Sequence, residues 1–323
     1  VVRRKFKDFF FEKKKQKTFA TAPTARRILH HPCAAPFAKV FWFFFSKKNC
    51  CLLPFLALGA CTMQPACAPP NTWLAPGSLT PLADPLPQAA TAPVVLLGEQ
   101  HDSAADHHWQ LATIERLYAL NPHMALGFEM FPRSSQAALN DWVAGSVTEA
   151  EFLKRSDWQK VWGFDADLYL PIFRFAREHH VPMLALNVSR HAVHLVATKG
   201  WAALSPAERE GVATPAAPTP AYRASLQDAM SGHAGPSMTP ERLNHFIEAQ
   251  LFWDRAMAEG IAAERTAAPD RTVVAIMGAG HIENGDGVPH QLAALGIAAT
   301  LLLPVHGACS AFAPGYATAV FVE

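Results

Sequence analysis

The chain has 323 residues, half of them hydrophobic and 17% charged, which suits one sizeable globular domain with additions. Its formal charge of +1 hides two regions: residues 1–48 hold 13 Lys/Arg against Asp8 and Glu12, leaving 15 basic and 25 acidic side chains for the rest. A folded part with that acidic excess argues against a nucleic-acid surface.

The N-terminus reads as processing sequence. Lys47 and Lys48 precede an apolar run, "NCCLLPFLALGAC", of signal h-region length and too short to span a bilayer. It ends in Leu58-Gly59-Ala60-Cys61, the pattern of a bacterial lipobox, so Cys61 is expected to be lipidated and to begin the mature protein. Residues 1–61 are therefore expected as an N-terminal extension and lipoprotein signal peptide, with the true start left open. Residues 62–93 contain eight prolines and one charged side chain, Asp84, which predicts a semi-rigid tether. Cys67 and Cys309 are either one disulfide or two free thiols, and without C-x-x-C spacing a structural zinc site has no support.

From Val94 the rhythm is strand then helix. "VVLLGEQ" is followed by a helix carrying Leu111, Ile114, Leu117 and Tyr118, and "MALGFEM" by one near residues 134–144. "VPMLALN" precedes a helix over 190–198, "RTVVAIMGAGH" precedes one around 289–295, and "AATLLLPV" closes the series, with "ATAVFVE" as an edge strand. The predicted class is α/β: a mainly parallel sheet flanked by helices over residues 94–323. Helical insertions at about 142–175 and 201–266, the first rich in Trp and Phe, are expected to build a smaller lobe.

The strand ends carry the polar groups. The first ends in Glu99 and His101, the second in Glu129, the third in Asn187, the fourth in Gly278-Ala-Gly-His281, and the fifth runs to His306. In open α/β sheets functional side chains gather at the carboxyl ends of strands, so Glu99, His101, Glu129, Asn187 and His281 should converge in one cleft. Gln250 and Asp254, four apart on a helix, could face the same cleft. Two imidazoles with carboxylates can ligate a divalent metal, or serve without metal as an acid/base cluster, or merely tie strand ends together. The pairs His107–His108 and His179–His180 are expected at exposed helix positions.

The motifs "VVLLGEQHD", "ALGFEMFPR", "LALNVSR", "AQLFWDRAMA" and "IMGAGHIENGDGVP" resemble the ChaN family of haem-binding lipoproteins, related to the Tiki/TraB proteins and the erythromycin esterases. The resemblance implies a sheet flanked by helices with a smaller helical lobe, and a haem-binding lipoprotein of the outer membrane, facing periplasm or cell surface, that serves haem or iron acquisition. It further implies a homodimer, an outer-membrane haem/iron transporter as partner, and a tyrosine as haem ligand, for which Tyr169 and Tyr222 in the insertions are the candidates. In Tiki-like relatives the matched positions His101, Glu129 and His281 would be metal-site residues. The alternative is a metal-dependent hydrolase in which Glu99 or Glu129 acts as base on a metal-bound water. Whether the chain is an enzyme stays open at this point; with neither a G-x-S-x-G elbow nor H-E-x-x-H, the familiar serine and zincin routes have no support.

Overall fold

The computed structural model describes residues 67–231 and 239–323. The lipobox with Cys61, the signal sequence and the first residues of the tether lie outside the described residues.

Seven strands form one sheet: β1 (Thr72–Leu74), β2 (Val94–Glu99), β3 (Met124–Pro132), β4 (Met183–Asn187), β5 (Thr272–Gly278), β6 (Thr300–Val305) and β7 (Ala319–Val322). Their order is β1-β7-β6-β2-β5-β3-β4. All neighbours run parallel except β1, which is antiparallel to β7. The central strands are buried along their whole length, as continuous Val/Ile/Leu runs require when both faces are covered.

Period-2 alternation divides those runs between two cores. Val95 and Leu97 of β2, Phe128 of β3 and Ile276 of β5 enter a core rich in Trp and Phe. That core is closed by α2 (Ala104–Leu120), α3 (Gln136–Val143), α4 (Glu149–Arg155), α5 (Trp158–Val161) and α6 (Leu170–Glu178), after a short α1 (Leu86–Ala89). Val94, Leu96, Ala275 and Met277 face the other way, against Met257 and Ile261 of α9 (Pro240–Ala267) and Val288 and Leu292 of α10 (Val288–Ala294). α7 (Arg190–Lys199) packs on the outer side of α9, through Val193, Val196, Phe252 and Ala256. α8 (Pro220–Ser231) adds Tyr222, Leu226 and Met230 against Phe246 and Ile247. No helix of the described residues is long and apolar enough to cross a membrane.

Two expectations are corrected. The Pro-rich segment is not a free tether from Cys67 onward: Cys67 is disulfide-bonded to Cys309, Ala68 bridges Ala308, and Thr72–Leu74 pairs with β7. Trp73, Leu74, Leu86 and Ala89 are buried, so apolar anchors between the prolines dock what composition alone reads as linker. Because β1 takes the edge, "ATAVFVE" is an interior strand instead of the edge one.

Candidate functional site

The sheet order explains the convergence. β2, β5 and β3 are consecutive neighbours, and their ends supply Glu99, then Gly278 and His281, then Glu129. Glu99 pairs in register with Gly278. A Cβ on Gly278 would stand 2.8 Å from His101 Cε1, so glycine lets the imidazole close over this strand end, while the Glu129 carboxylate would be in ordinary contact at 3.7 Å. The β3–β4 register shifts between Phe128 and Pro132, and such a bulge re-aims the side chains within it. Asn187 Nδ2 then donates to the Glu129 carbonyl at 2.7 Å.

The cluster is a buried network with two carboxylate–imidazole centres. Glu99 Oε1 stands 2.8 Å from His101 Nδ1 and accepts from the Tyr169 hydroxyl at 2.6 Å, while its Oε2 accepts from Gln110 Nε2 at 3.0 Å. His107 faces Glu99 Oε2 at 3.4 Å and the His101 carbonyl at 3.2 Å. At the second centre, His281 Nδ1 meets Asp254 Oδ1 at 2.5 Å, and the Tyr222 hydroxyl donates to Asp254 Oδ2 at 2.9 Å. Glu129 joins the centres: its Oε2 accepts the Gly278 N–H at 2.7 Å, and its Oε1 stands 3.5 Å from His281 Nε2, an ion-pair separation too long for a good hydrogen bond.

Charge in this interior is settled by competition between burial and partners. Burial pushes the Glu99 carboxyl up, but the His101 hydrogen bond and the charges of His107 and His101 win and hold it below the usual carboxylate range. Burial likewise opposes ionisation of Glu129, and His281 outweighs it. Burial opposes the imidazolium of His281, yet Glu129 and Asp254 raise it to about 10. His101 is raised in the same way, against burial, by Glu99 and Glu129. At Asp254 burial prevails and the carboxyl is pushed up.

Several expected roles change in this light. Among the described residues, the triple of His, Asp or Glu whose ligand atoms all lie within 4.8 Å of one another is Asp106, His306 and Glu323. The donor atoms of the expected metal set His101, Glu129 and His281 do not all lie that close together; each Nδ1 is held by a carboxylate, and His281 Nε2 is turned toward Glu129. Tyr169 and Tyr222, expected apart from the strand ends on the insertions, both donate into the cluster. Burial and the neighbouring Glu99 and Asp254 push their hydroxyls far above the usual phenol value. Neither reaches a surface broad enough for a porphyrin, so they do not fit as haem ligands here.

His107, expected on an exposed face, is buried; with Gln110 it falls on the stripe of Ile114 and Leu117 at i, i+3, i+7 and i+10, a signal legible in the sequence. His108, His179 and His180 are exposed. His306 reaches a second place at the same sheet end, 3.0 Å from Asp106 Oδ1 and 3.0 Å from Glu323 Oε2. Asp106 also accepts the Gln100 N–H at 2.7 Å, locking the turn that follows β2. Over His101 lie Trp162 and Phe164, with ring centroids at 4.7 and 5.4 Å, and Arg190 ties this cover down by donating to the Trp162 carbonyl at 3.0 Å. Burial lowers Arg190 to about 10.

Gln250 shares the buried face of α9 with Asp254, and neither end of its amide has a hydrogen-bond partner among the described residues. A stranded buried amide costs about 1–3 kcal/mol, so Gln250→Met is expected to raise stability by about 1 kcal/mol in urea unfolding. A loss of that size would show that the amide is partnered in solution.

The model of the family described as haem-binding uptake, Tiki superfamily, ChaN matches residues 86–292. Among solved structures, ChaN of Campylobacter jejuni, described as showing cofacial heme binding, is similar at a TM-score of 0.60 and 18% identity, over 77% of this chain and 95% of that one. An erythromycin esterase mutant in its open conformation is similar at a TM-score of 0.43 and 14% identity, over 73% of this chain and 77% of that one. No protein of curated function matches the sequence. With the family model spanning more than half its length, the chain belongs to the ChaN family of the Tiki superfamily.

Proposed function

We propose that this protein is a membrane-anchored haem-binding lipoprotein serving haem or iron acquisition, held by lipid on Cys61 in the outer membrane and able to pair with a second copy and with a haem/iron transporter there. The observation that carries the haem-binding part is the family match over residues 86–292, on a fold that superposes on nearly all of a haem-binding ChaN chain. The lipobox sequence supports the anchor.

Haem chemistry on this chain belongs at its surface, since the two central tyrosines are locked in the core. A patch with suitable chemistry is formed by Tyr118 near the end of α2, Phe175 of α6 and His179 after it, with the exposed Leu120 two residues beyond Tyr118. The His179 ring lies 4.8 Å from Tyr118 and 4.4 Å from Phe175, and Leu120 is 50% exposed. An apolar platform beside an imidazole and a phenol can take a porphyrin face and ligate its iron. Bound haem would supply the iron-porphyrin cargo, and the chain's part is to hold it. Hemin titration of the full chain should produce a shifted Soret band, weakened about tenfold in affinity in Tyr118→Phe/His179→Ala, the scale of one lost ligand contact. A wild-type chain that leaves the free-hemin spectrum unchanged would refute the proposal.

The hydrolase alternative needs a cation at the strand ends. The donor atoms of His101, Glu129 and His281 do not all lie within 4.8 Å of one another there.

A further inference from the structure

Between Cys67 and Ala83, and again between Gly307 and Val322, the chain has no Asp, Glu, Lys or Arg. The structure makes these two stretches one surface. The Cys67–Cys309 disulfide, the Ala68–Ala308 bridge, β1–β7 pairing and a 2.7 Å bond from the Gly77 N–H to the Phe312 carbonyl join them. Beneath, Leu74, Ala308 and Val322 form a small core with Ala68, Leu79 and Phe312. Outward, the cap exposes Pro69, Pro70, Pro81, Leu82, Ala313 and Pro314. Leu82 is one of two large hydrophobic side chains exposed to solvent among the described residues.

The chain before the cap limits where this surface can go. Only five residues separate Cys61 from Cys67. Fully extended, that stretch reaches at most about 20 Å, whereas a domain of this size is roughly 45 Å across. The disulfide moves the point of attachment to the start of the Pro-rich segment, so most of that segment cannot serve as a spacer. Charge selects the same side. The chain after residue 48 has 15 basic and 25 acidic side chains, and an anionic lipid surface repels such a domain wherever it presents carboxylates. The uncharged cap can approach without that repulsion or the cost of desolvating charge.

We propose that the cap is the side on which the domain rests against the lipid surface, with the β1 edge of the sheet toward the bilayer and the β4 edge away from it. This inference rests on the lipoprotein proposal above. The test uses the full chain, produced in acylating cells fed a palmitate analogue and reconstituted into phosphatidylethanolamine/phosphatidylglycerol vesicles bearing an NBD-headgroup acceptor. A coumarin amino acid is placed at Ala313 on the cap or, in a second preparation, at Glu178 on the approach to β4. Energy transfer should be at least about twofold stronger from position 313, given the domain's width. Equal transfer from both positions, or stronger transfer from 178, with Cys61 labelled, overturns the orientation while the anchor stands; a cap kept for a protein partner would give that result. Failure of Cys61 to take the label overturns the anchor and the orientation with it.

Discussion

His281→Ala should lose about 3–5 kcal/mol of unfolding free energy, the largest effect expected of any single change in the strand-end cluster. The imidazole is fully buried, faces Asp254 at 2.5 Å and Glu129 at 3.5 Å, and holds these two carboxylates in an interior that would otherwise reject them. Its removal leaves both facing a cavity. The effect should not add to that of Asp254→Asn, because that change removes the carboxyl that His281 Nδ1 faces and so breaks the same contact. A double-mutant cycle in urea would then show a coupling of at least about 1 kcal/mol. A single-mutant loss below about 1 kcal/mol, or strict additivity, would mean that the imidazole is not the counter-charge of this network.

The same pairing predicts a stability profile with two falling wings. His281 is raised from 6.5 to about 10 on folding, so its contribution is complete below pH 6.5 and is lost as pH rises through about 10. At about 1.4 kcal/mol for each pH unit between those two values, that wing amounts to a few kcal/mol. Glu99 and Glu129 are lowered on folding, so their contribution is present above about 4.5 and lost as pH falls through their folded values. These three groups together favour a maximum between about pH 4.5 and 6.5 followed by a gradual alkaline decline. Asp254 and Glu323, raised on folding, work the other way and shift the maximum toward the acid side of that window. Urea midpoints measured across pH 3–10.5 would show it. The alkaline wing should flatten in His281→Ala while the acid wing persists in reduced form. An unchanged alkaline decline in that variant would assign the wing to other groups.

Much of this arrangement is legible in the sequence. The apolar runs at Val94, Met124, Met183, Thr272 and Thr300 are strands, and the polar residues at their ends converge because β2, β5 and β3 are neighbours. Which atoms face which is not legible there. Spacing allows His101, Glu129 and His281 to share an ion, but only packing shows that Glu99 and Asp254 take up the two Nδ1 atoms. Tyr169 and Tyr222 lie 70 and 32 residues from the carboxylates they serve, beyond the range of any local pattern. Proline-rich composition hides the docking of Thr72–Leu74, although Trp73 and Leu74 are the two side chains there large enough to anchor it. The Asp106–His306–Glu323 group draws on α2, the segment after β6 and the residue after β7, which only the sheet order brings together.

The central claim is that the protein binds haem and does so outside its buried histidine–carboxylate network. Hemin titration followed by the Soret band, run in parallel on the wild-type chain and on Tyr169→Phe/Tyr222→Phe, tests it most directly. The two phenols donate to Glu99 and Asp254 in the interior, so the double variant should lose stability and keep the wild-type Soret position and hemin affinity. A wild-type chain with no Soret shift, or a shift abolished in a double variant that is still folded, would contradict it.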